Sequence, residues 1–191
     1  MRMATIALRP FIGYKFFNSL FTGLSVGSVF TLYEPLEPSV FSLGGVMLAV
    51  AMIGVAKYYS VIMNRRWFFM VSLGVELVML LLILGFLLFS YGYATALLIY
   101  AGYQLTFAFG AYLVRAETML LPSRRVLTLL DVAKQKGYLV GMAAAYLFYR
   151  GMESGLGIAD KQVQVYDLHF LLLAAEAATI LLLFKAFALR R

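Results

Sequence analysis

Six long apolar stretches follow one another along the chain, separated by short polar segments. They cover residues 11–33, 38–61, 67–90, 92–115, 126–149 and 166–188. A helix needs about 20 residues to cross about 30 Å of hydrocarbon, because each residue adds about 1.5 Å along the helix axis. The stretches therefore predict an all-α polytopic membrane protein with one six-helix transmembrane domain over residues 1–191.

The composition points to the same class. Hydrophobic residues make up 63% of the chain and charged residues 13%, which is more apolar surface than a soluble domain can bury. The sequence has no cysteine, so disulfide bonds, thiolate catalysis and cysteine-ligated metal sites are excluded. No cofactor or metal is expected.

The basic residues lie almost entirely on one side of the predicted membrane. Fourteen of the 16 fall there, and the other side has only Arg150 and Lys161. Lysine and arginine are retained on the cytoplasmic side, so both termini are predicted to be cytoplasmic. The N-terminal segment lacks an early small-residue cleavage site and is interpreted as the first span. The net charge of +7 is thus explained by the orientation of the chain in the membrane, and no nucleic-acid partner is expected. The expected location is the bacterial cytoplasmic (inner) membrane.

Polar residues mark one face of the first and fourth spans. Asn18, Thr22 and Ser25 recur at helical spacing in the first span, and Tyr100 and Gln104 do so in the fourth. Two interpretations remain open for each set. The residues either join neighbouring helices by hydrogen bonds or line a water-filled, substrate-facing cavity.

The fifth span combines charges with small residues. Asp131 and Lys134 are three residues apart near its cytoplasmic start and are able to pair. Gly137, Gly141 and Ala145 form a ridge of small side chains that predicts close packing against another helix. The charges belong either to a cytoplasmic vestibule or to a solvated helix end.

Two carboxylates lie deep in apolar sequence. Glu76 is in the third span and Glu176 in the sixth, each near the middle of the predicted membrane. A charge there costs a few kcal/mol at least unless it is paired, hydrated or protonated. Both acids precede an aliphatic run. If the six spans are divided into two groups of three, each acid belongs to the third span of its group, which suggests an internal repeat. They are candidates for binding coupling protons.

The order of these features resembles one six-helix half of a transporter of the major facilitator superfamily. The resemblance covers nearly the whole chain and rests on three segments. They read "YKFFNSLFTGLSVGSVFTLYEP", "GVAKYYSVIMNRRWFFMVSL" and "YAGYQLTFAFGAYLVRAETMLLPSRRVLTLLDVAKQKGYLVGM". Asn64, Arg65 and Arg66 match the end of the family's loop motif between helices 2 and 3, whose acidic residue is absent here. The family's helix 4 arginine is also missing.

The resemblance implies a 3+3 inverted repeat with helices 1 and 4 lining a cavity. A six-helix chain with fixed orientation can complete such a transporter by pairing with itself about an axis along the membrane normal. The expected function is therefore secondary active transport of a small solute by a homodimer with a central alternating-access pathway, coupled to protons. The expected partners are the solute, the lipid bilayer and a second copy of the chain or a second six-helix half.

Residues are assigned to roles on this basis. Substrate contacts are expected from Asn18, Thr22, Ser25, Tyr100 and Gln104, and proton coupling from Glu76 and Glu176. A cytoplasmic gate is expected from Arg65, Arg66, Glu117, Asp131 and Lys134. The alternatives are a non-catalytic membrane scaffold or assembly subunit, or half of a heterodimeric transporter. An enzyme is not expected, because His169 stands in no catalytic spacing and is interpreted as an interfacial residue.

Overall fold

The structure, a computed structural model, describes residues 6–121 and 123–187. These residues form eight helices and no strand, which confirms the all-α class. Both termini, the last residue of the predicted sixth span and Pro122 lie outside the described residues. The helices are α1 (Leu8–Leu32), α2 (Pro38–Lys57), α3 (Tyr59–Ile62), α4 (Arg65–Leu88), α5 (Tyr93–Ala108), α6 (Gly110–Leu120), α7 (Arg124–Leu156) and α8 (Lys161–Phe187).

Each predicted span corresponds to one helix or to two helices in succession. The second span is divided at Tyr58 into α2 and α3, and the fourth is divided at Phe109 into α5 and α6. The helix of the fifth span, α7, is longer than predicted, with 33 residues. It ends where Gly157 adopts φ 69°, a left-handed conformation that glycine accepts without strain.

Four helical segments of the described chain are long and apolar enough to cross a membrane, and the chain is accordingly an integral membrane protein. The segments are Pro38–Lys57, Arg65–Leu88, Tyr93–Leu120, which joins α5 and α6, and Lys161–Phe187. The helices α1 and α7 are long enough but more polar. They make their most extensive contacts with each other.

The bundle has two distinct ends. At one, the start of α1 meets the end of α8, where the Ala7 amide donates to the Ala186 carbonyl at 2.9 Å. The starts of α4 and α7 and the helix α6 pack there too, around Phe11, Phe68 and Tyr112. This end carries the basic loops and is called the basic end below. At the opposite end, the end of α1 packs against the end of α4 and the starts of α5 and α8.

Glycines bring α1 and α7 into backbone contact. A Cβ atom on Gly137 would lie 2.2 Å from the Phe16 carbonyl oxygen, and one on Gly141 would lie 2.2 Å from the Leu20 carbonyl oxygen. Neither distance is sterically possible, so only glycine fits at these positions. The predicted small-residue ridge on the fifth span is confirmed.

The remaining contacts are unevenly distributed. The helix α1 also packs against α8, α5 packs against α2 and α4, and α4 packs against α8. The helix α2 is peripheral and buries none of its residues. Most of its exposed side chains are apolar, and they include Leu43, Val46, Met47, Val50 and Ile53.

Candidate functional site

Glu76 lies at the centre of the bundle, on α4, with 1% of its surface exposed. The Tyr14 hydroxyl on α1 donates to Glu76 Oε1 at 2.7 Å. One turn further along α1, Asn18 Nδ2 donates to both carboxyl oxygens, at 3.1 and 3.3 Å. These donors stabilise a negative charge on Glu76 and tie α1 to α4.

Glu176 on α8 faces Glu76, and its side chain is fully buried. Neither of its oxygens meets a hydrogen-bond partner among the described residues. Two carboxylates at such close range cannot both ionise cheaply, whereas one proton between them supplies the donor that Glu176 lacks. Glu76 and Glu176 are called the acid pair below.

A second group of charges lies nearer the basic end. Glu117 on α6 is 4% exposed and has two cationic neighbours. Lys15 Nζ on α1 lies 2.9 Å from Glu117 Oε2, and Lys134 Nζ on α7 donates to Glu117 Oε1. Lys134 also contacts Asp131 at 3.4 Å. These four residues are called the ion network, and they join α1, α6 and α7.

The structure brings together only part of the predicted gate. Glu117, Asp131 and Lys134 meet in the ion network. Arg65 and Arg66 lie at the start of α4 and form no salt bridge among the described residues. The Arg66 amide instead donates to the Asn64 side chain, which caps this helix. A gating role for these residues stays a prediction.

The predicted polar face of the first span is mostly satisfied within α1 itself. Thr22 Oγ1 donates to the Asn18 carbonyl at 3.1 Å, and Ser25 Oγ donates to the Thr22 carbonyl at 3.0 Å. Thr22 is exposed, while Ser25 is buried. Asn18 is turned to the acid pair. Substrate contact by these residues stays a prediction.

The two candidates of the fourth span lie between α5 and α2. The Tyr100 hydroxyl donates to the Phe41 carbonyl at 3.1 Å, and its ring packs edge-on against Tyr33 and Phe41. Gln104 Oε1 is buried without a partner among the described residues. Tyr100 and Gln104 both line an apolar groove of about 340 Å³. Their contact with substrate also stays a prediction.

His169, Tyr14 and Lys15 are buried, which the sequence did not reveal. His169 is only 4% exposed and stacks on Phe86 with ring centres 4.0 Å apart, at the end of the bundle opposite the basic end. Its interfacial depth stays a prediction. Tyr14 and Lys15 belong to the buried polar groups, although neither was singled out as functional. Tyr14 could have been found from the sequence, because it lies four residues before Asn18 and hence on the same helix face. Lys15 could not, because the excess of basic residues on the cytoplasmic side already accounted for it.

The arrangement places two buried carboxyl groups side by side in the bundle, with a charge network nearer the basic end. The described residues hold no group of three His, Asp or Glu side chains that would bind a metal ion. Comparison with known proteins gives no relative on which to base a role: no protein-family model, curated protein or solved structure matches this chain.

Proposed function

We propose that this chain is a secondary active transporter of a small solute. It is a half-size, facilitator-like protein that forms a homodimer, with one alternating-access pathway between the copies and with proton coupling at the acid pair. The observation that carries the proposal is the burial of Glu76 and Glu176 against each other in the centre of an apolar bundle.

The depth of the acid pair favours coupling over a purely structural role. Glu76 lies near the middle of α4, which starts at the basic end, and Glu176 lies inside α8, which finishes there. At about 1.5 Å per residue, both acids are about 16 Å from the basic end. A buried ionisable group at this depth is costly, and such groups in membrane helices typically serve ion or proton pathways.

The helix contacts support a 3+3 repeat. An inverted repeat relates the first three spans to the last three, so that α1 corresponds to α5, α2 to α7, and α4 to α8. The contact of α1 with α7 then corresponds to that of α5 with α2. The contact of α1 with α8 likewise corresponds to that of α5 with α4, and the contact of α4 with α8 corresponds to itself. The acid pair sits at this self-equivalent contact, as expected for two related acids that face each other across the repeat axis.

The outer face of α2 supports the homodimer. None of the residues of this helix is buried within its own subunit, and it presents a largely apolar surface that lipid or a partner must cover. In a facilitator-like dimer, α2 of one copy meets α7 of the other. Because the chain has no cysteine, single cysteine variants report on this contact without background.

A mixture of Val46→Cys and Leu139→Cys proteins tests the dimer. Both side chains are exposed, at 62% and 68%, and lie near the middle of α2 and α7. We expect a disulfide-linked dimer on mild oxidation in lipid. In the control mixture, Leu77→Cys on α4 takes the place of Leu139→Cys, and we expect no disulfide between the two variants although Leu77 is 43% exposed. Cross-linking at equal rates in both mixtures would count against this interface.

Transport is tested in proteoliposomes under an imposed pH gradient. The probes are radiolabelled neutral solutes, namely a panel of sugars and neutral amino acids, because the candidate contact residues Thr22 and Gln104 carry no charge. We expect gradient-driven uptake that Glu176→Gln abolishes and that Glu153→Gln, at an exposed acid, leaves unchanged. Absence of uptake of every probe by the unmodified protein would contradict the proposal for this class of solute.

A membrane scaffold or assembly subunit is the second candidate, and one observation favours it. Tyr14 and Asn18 join α1 to α4 through Glu76, so the polar residues do hold helices together. In a scaffold, Asn18→Leu and Gln104→Leu would lower stability in proportion to any loss of function. In a transporter, a variant that stays folded loses solute transport without a matching loss of stability.

Pairing with a different six-helix half would appear as a larger complex in native membranes.

A further inference from the structure

Lys15 is a buried cation placed between two buried acidic groups. Its side chain is 9% exposed, and its ammonium lies 2.9 Å from Glu117 Oε2. Lys15 directly follows Tyr14, whose hydroxyl donates to Glu76, and its charge also acts on Glu76. The same lysine is therefore within electrostatic reach of both the ion network and the acid pair.

Lys15 and Lys134 contact different carboxyl oxygens of Glu117. Lys15 Nζ lies 2.9 Å from Oε2. The other oxygen, Oε1, accepts from Lys134. Glu117 consequently keeps a hydrogen-bonded counter-ion if Lys15 moves away.

The charge of the acid pair depends on how many protons it holds. The ion network is neutral by itself, because Lys15 and Lys134 each carry one positive charge and Glu117 and Asp131 each carry one negative charge. The acid pair carries one negative charge while it holds a single proton. Loss of that proton leaves a second negative charge on the pair, which is strongly unfavourable in apolar surroundings unless a cation approaches.

Two aromatic rings of α1 lie beside the Lys15 ammonium. Lys15 Nζ lies 5.8 Å from the centre of the Phe11 ring and 5.1 Å from the centre of the Tyr14 ring. Aromatic faces attract a cation within about 6 Å, and more strongly where water is excluded. The Tyr14 ring leads directly to Glu76, so the ammonium has a favourable surface between its two acidic partners.

We propose that Lys15 is the counter-ion of the acid pair after the pair has lost its proton, and that it leaves Glu117 to take this role. The inference rests on the proposed function, since it assumes that the acid pair exchanges protons during transport. Departure of Lys15 removes the only direct ion pair between α1 and α6 among the described residues. Proton loss at the centre is thereby linked to loosening of the basic end.

The charges that surround Lys15 define what a test must control. They are Glu76 on α4, Glu117 on α6, Asp131 and Lys134 on α7 and Glu176 on α8, with Tyr14 as the neighbouring titratable group on α1. Asp131 is largely exposed, so its charge acts on the ion network from the surface. A charge-neutralising change at Lys15 must therefore be compared with one at an exposed lysine of the same end.

The experiment measures the separation of α1 and α6 at the basic end as a function of pH. Cysteines replace the exposed residues Arg9 on α1 and Met119 on α6 in the full-length protein in lipid and carry spin labels. We expect a longer distance population on the alkaline side. Lys15→Arg retains this population because the cation remains, and Lys15→Met loses it. Lys136→Met, at an exposed lysine on α7, retains it.

Infrared spectra of the same samples separate the two proposals. A carbonyl band that titrates and that Glu176→Gln removes reports the proton on the acid pair. If this band titrates while the distance stays constant, or if Lys15→Met keeps the pH-dependent distance, the role of Lys15 is wrong and the proton site stands. If no such band titrates, proton coupling at the acid pair is itself wrong, and the role of Lys15 falls with it.

Discussion

Replacement of Gly141 by alanine tests the closest helix contact in the bundle. The added Cβ would lie 2.2 Å from the Leu20 carbonyl oxygen and 2.9 Å from the Leu24 nitrogen, whereas ordinary contact begins at 3.4 Å. A close-packed interface has no void to absorb the methyl group, so α1 and α7 must separate by roughly 1 Å at this point. Backbone atoms of two packed helices cannot rotate away as a side chain does. Overpacking of this kind costs about 1–3 kcal/mol.

The free energy of unfolding is measurable by titration with sodium dodecyl sulfate in mixed micelles, followed by the fluorescence of Trp67, the single tryptophan. We expect Gly141→Ala to lower it by about 1–3 kcal/mol. Gly74→Ala on α4 is the matched control, because its Cβ would meet nothing within 4 Å. Alanine is the better helix former by up to about 1 kcal/mol, so the control variant keeps or gains stability.

The double variant Gly137→Ala, Gly141→Ala sharpens the test. Both added methyl groups press on the same stretch of α1, so one separation of the helices relieves both clashes. The cost of the double change is then smaller than the sum of the single costs, which a double-mutant cycle reveals as a coupling between the two sites. If Gly141→Ala is as stable as Gly74→Ala, α1 and α7 do not pack at the described distance.

Three further changes have expected effects on the same free energy of unfolding. Tyr14→Phe removes a hydrogen bond to the acid pair and lowers it by about 1.5–3 kcal/mol, whereas Tyr149→Phe removes a hydroxyl that has no partner among the described residues and changes it little. Asn64→Ala removes the cap of α4 and costs about 1 kcal/mol. Glu117→Gln leaves two lysines without their buried counter-ion and costs about 3–5 kcal/mol, against at most about 1 kcal/mol for the exposed Glu153→Gln. Equal effects within either matched pair would contradict the reasoning.

The helices and the acid pair could be predicted from the sequence for different reasons. Long apolar runs indicate helices and their approximate bounds, because a hydrocarbon environment leaves the backbone few alternatives. They do not show that the second and fourth spans are each divided into two helices. Glu76 and Glu176 stood out because carboxylates are rare in such runs. Their equal depth was also readable, since the constant rise per residue of a helix converts position into depth. Which way each side chain points depends on how the helices rotate and pack, and no local pattern gives that.

The partners of the acid pair show where the sequence was insufficient. Asn18 was predicted to face either a cavity or a neighbouring helix, and the structure turns it to Glu76. Tyr14 lies one helical turn earlier on the same face, but an aromatic residue near the basic end fits an interfacial belt equally well. Lys15 fits the topology rule without any further role. Only the structure reveals that its charge is buried and paired with Glu117 on α6.

The polarity of α1 is explained by its position in the bundle. A helix that carries Tyr14, Lys15 and Asn18 is a poor lipid-facing span, and α1 accordingly falls short of the apolarity found in four other segments. It is enclosed by α7 through the glycine contacts and by α8 on another side. Close backbone approach supplies dispersion contacts where the hydrophobic effect gives none between helices in lipid. The glycine ridge of α7 therefore holds in place the helix that supplies both donors to the acid pair and a cation of the ion network.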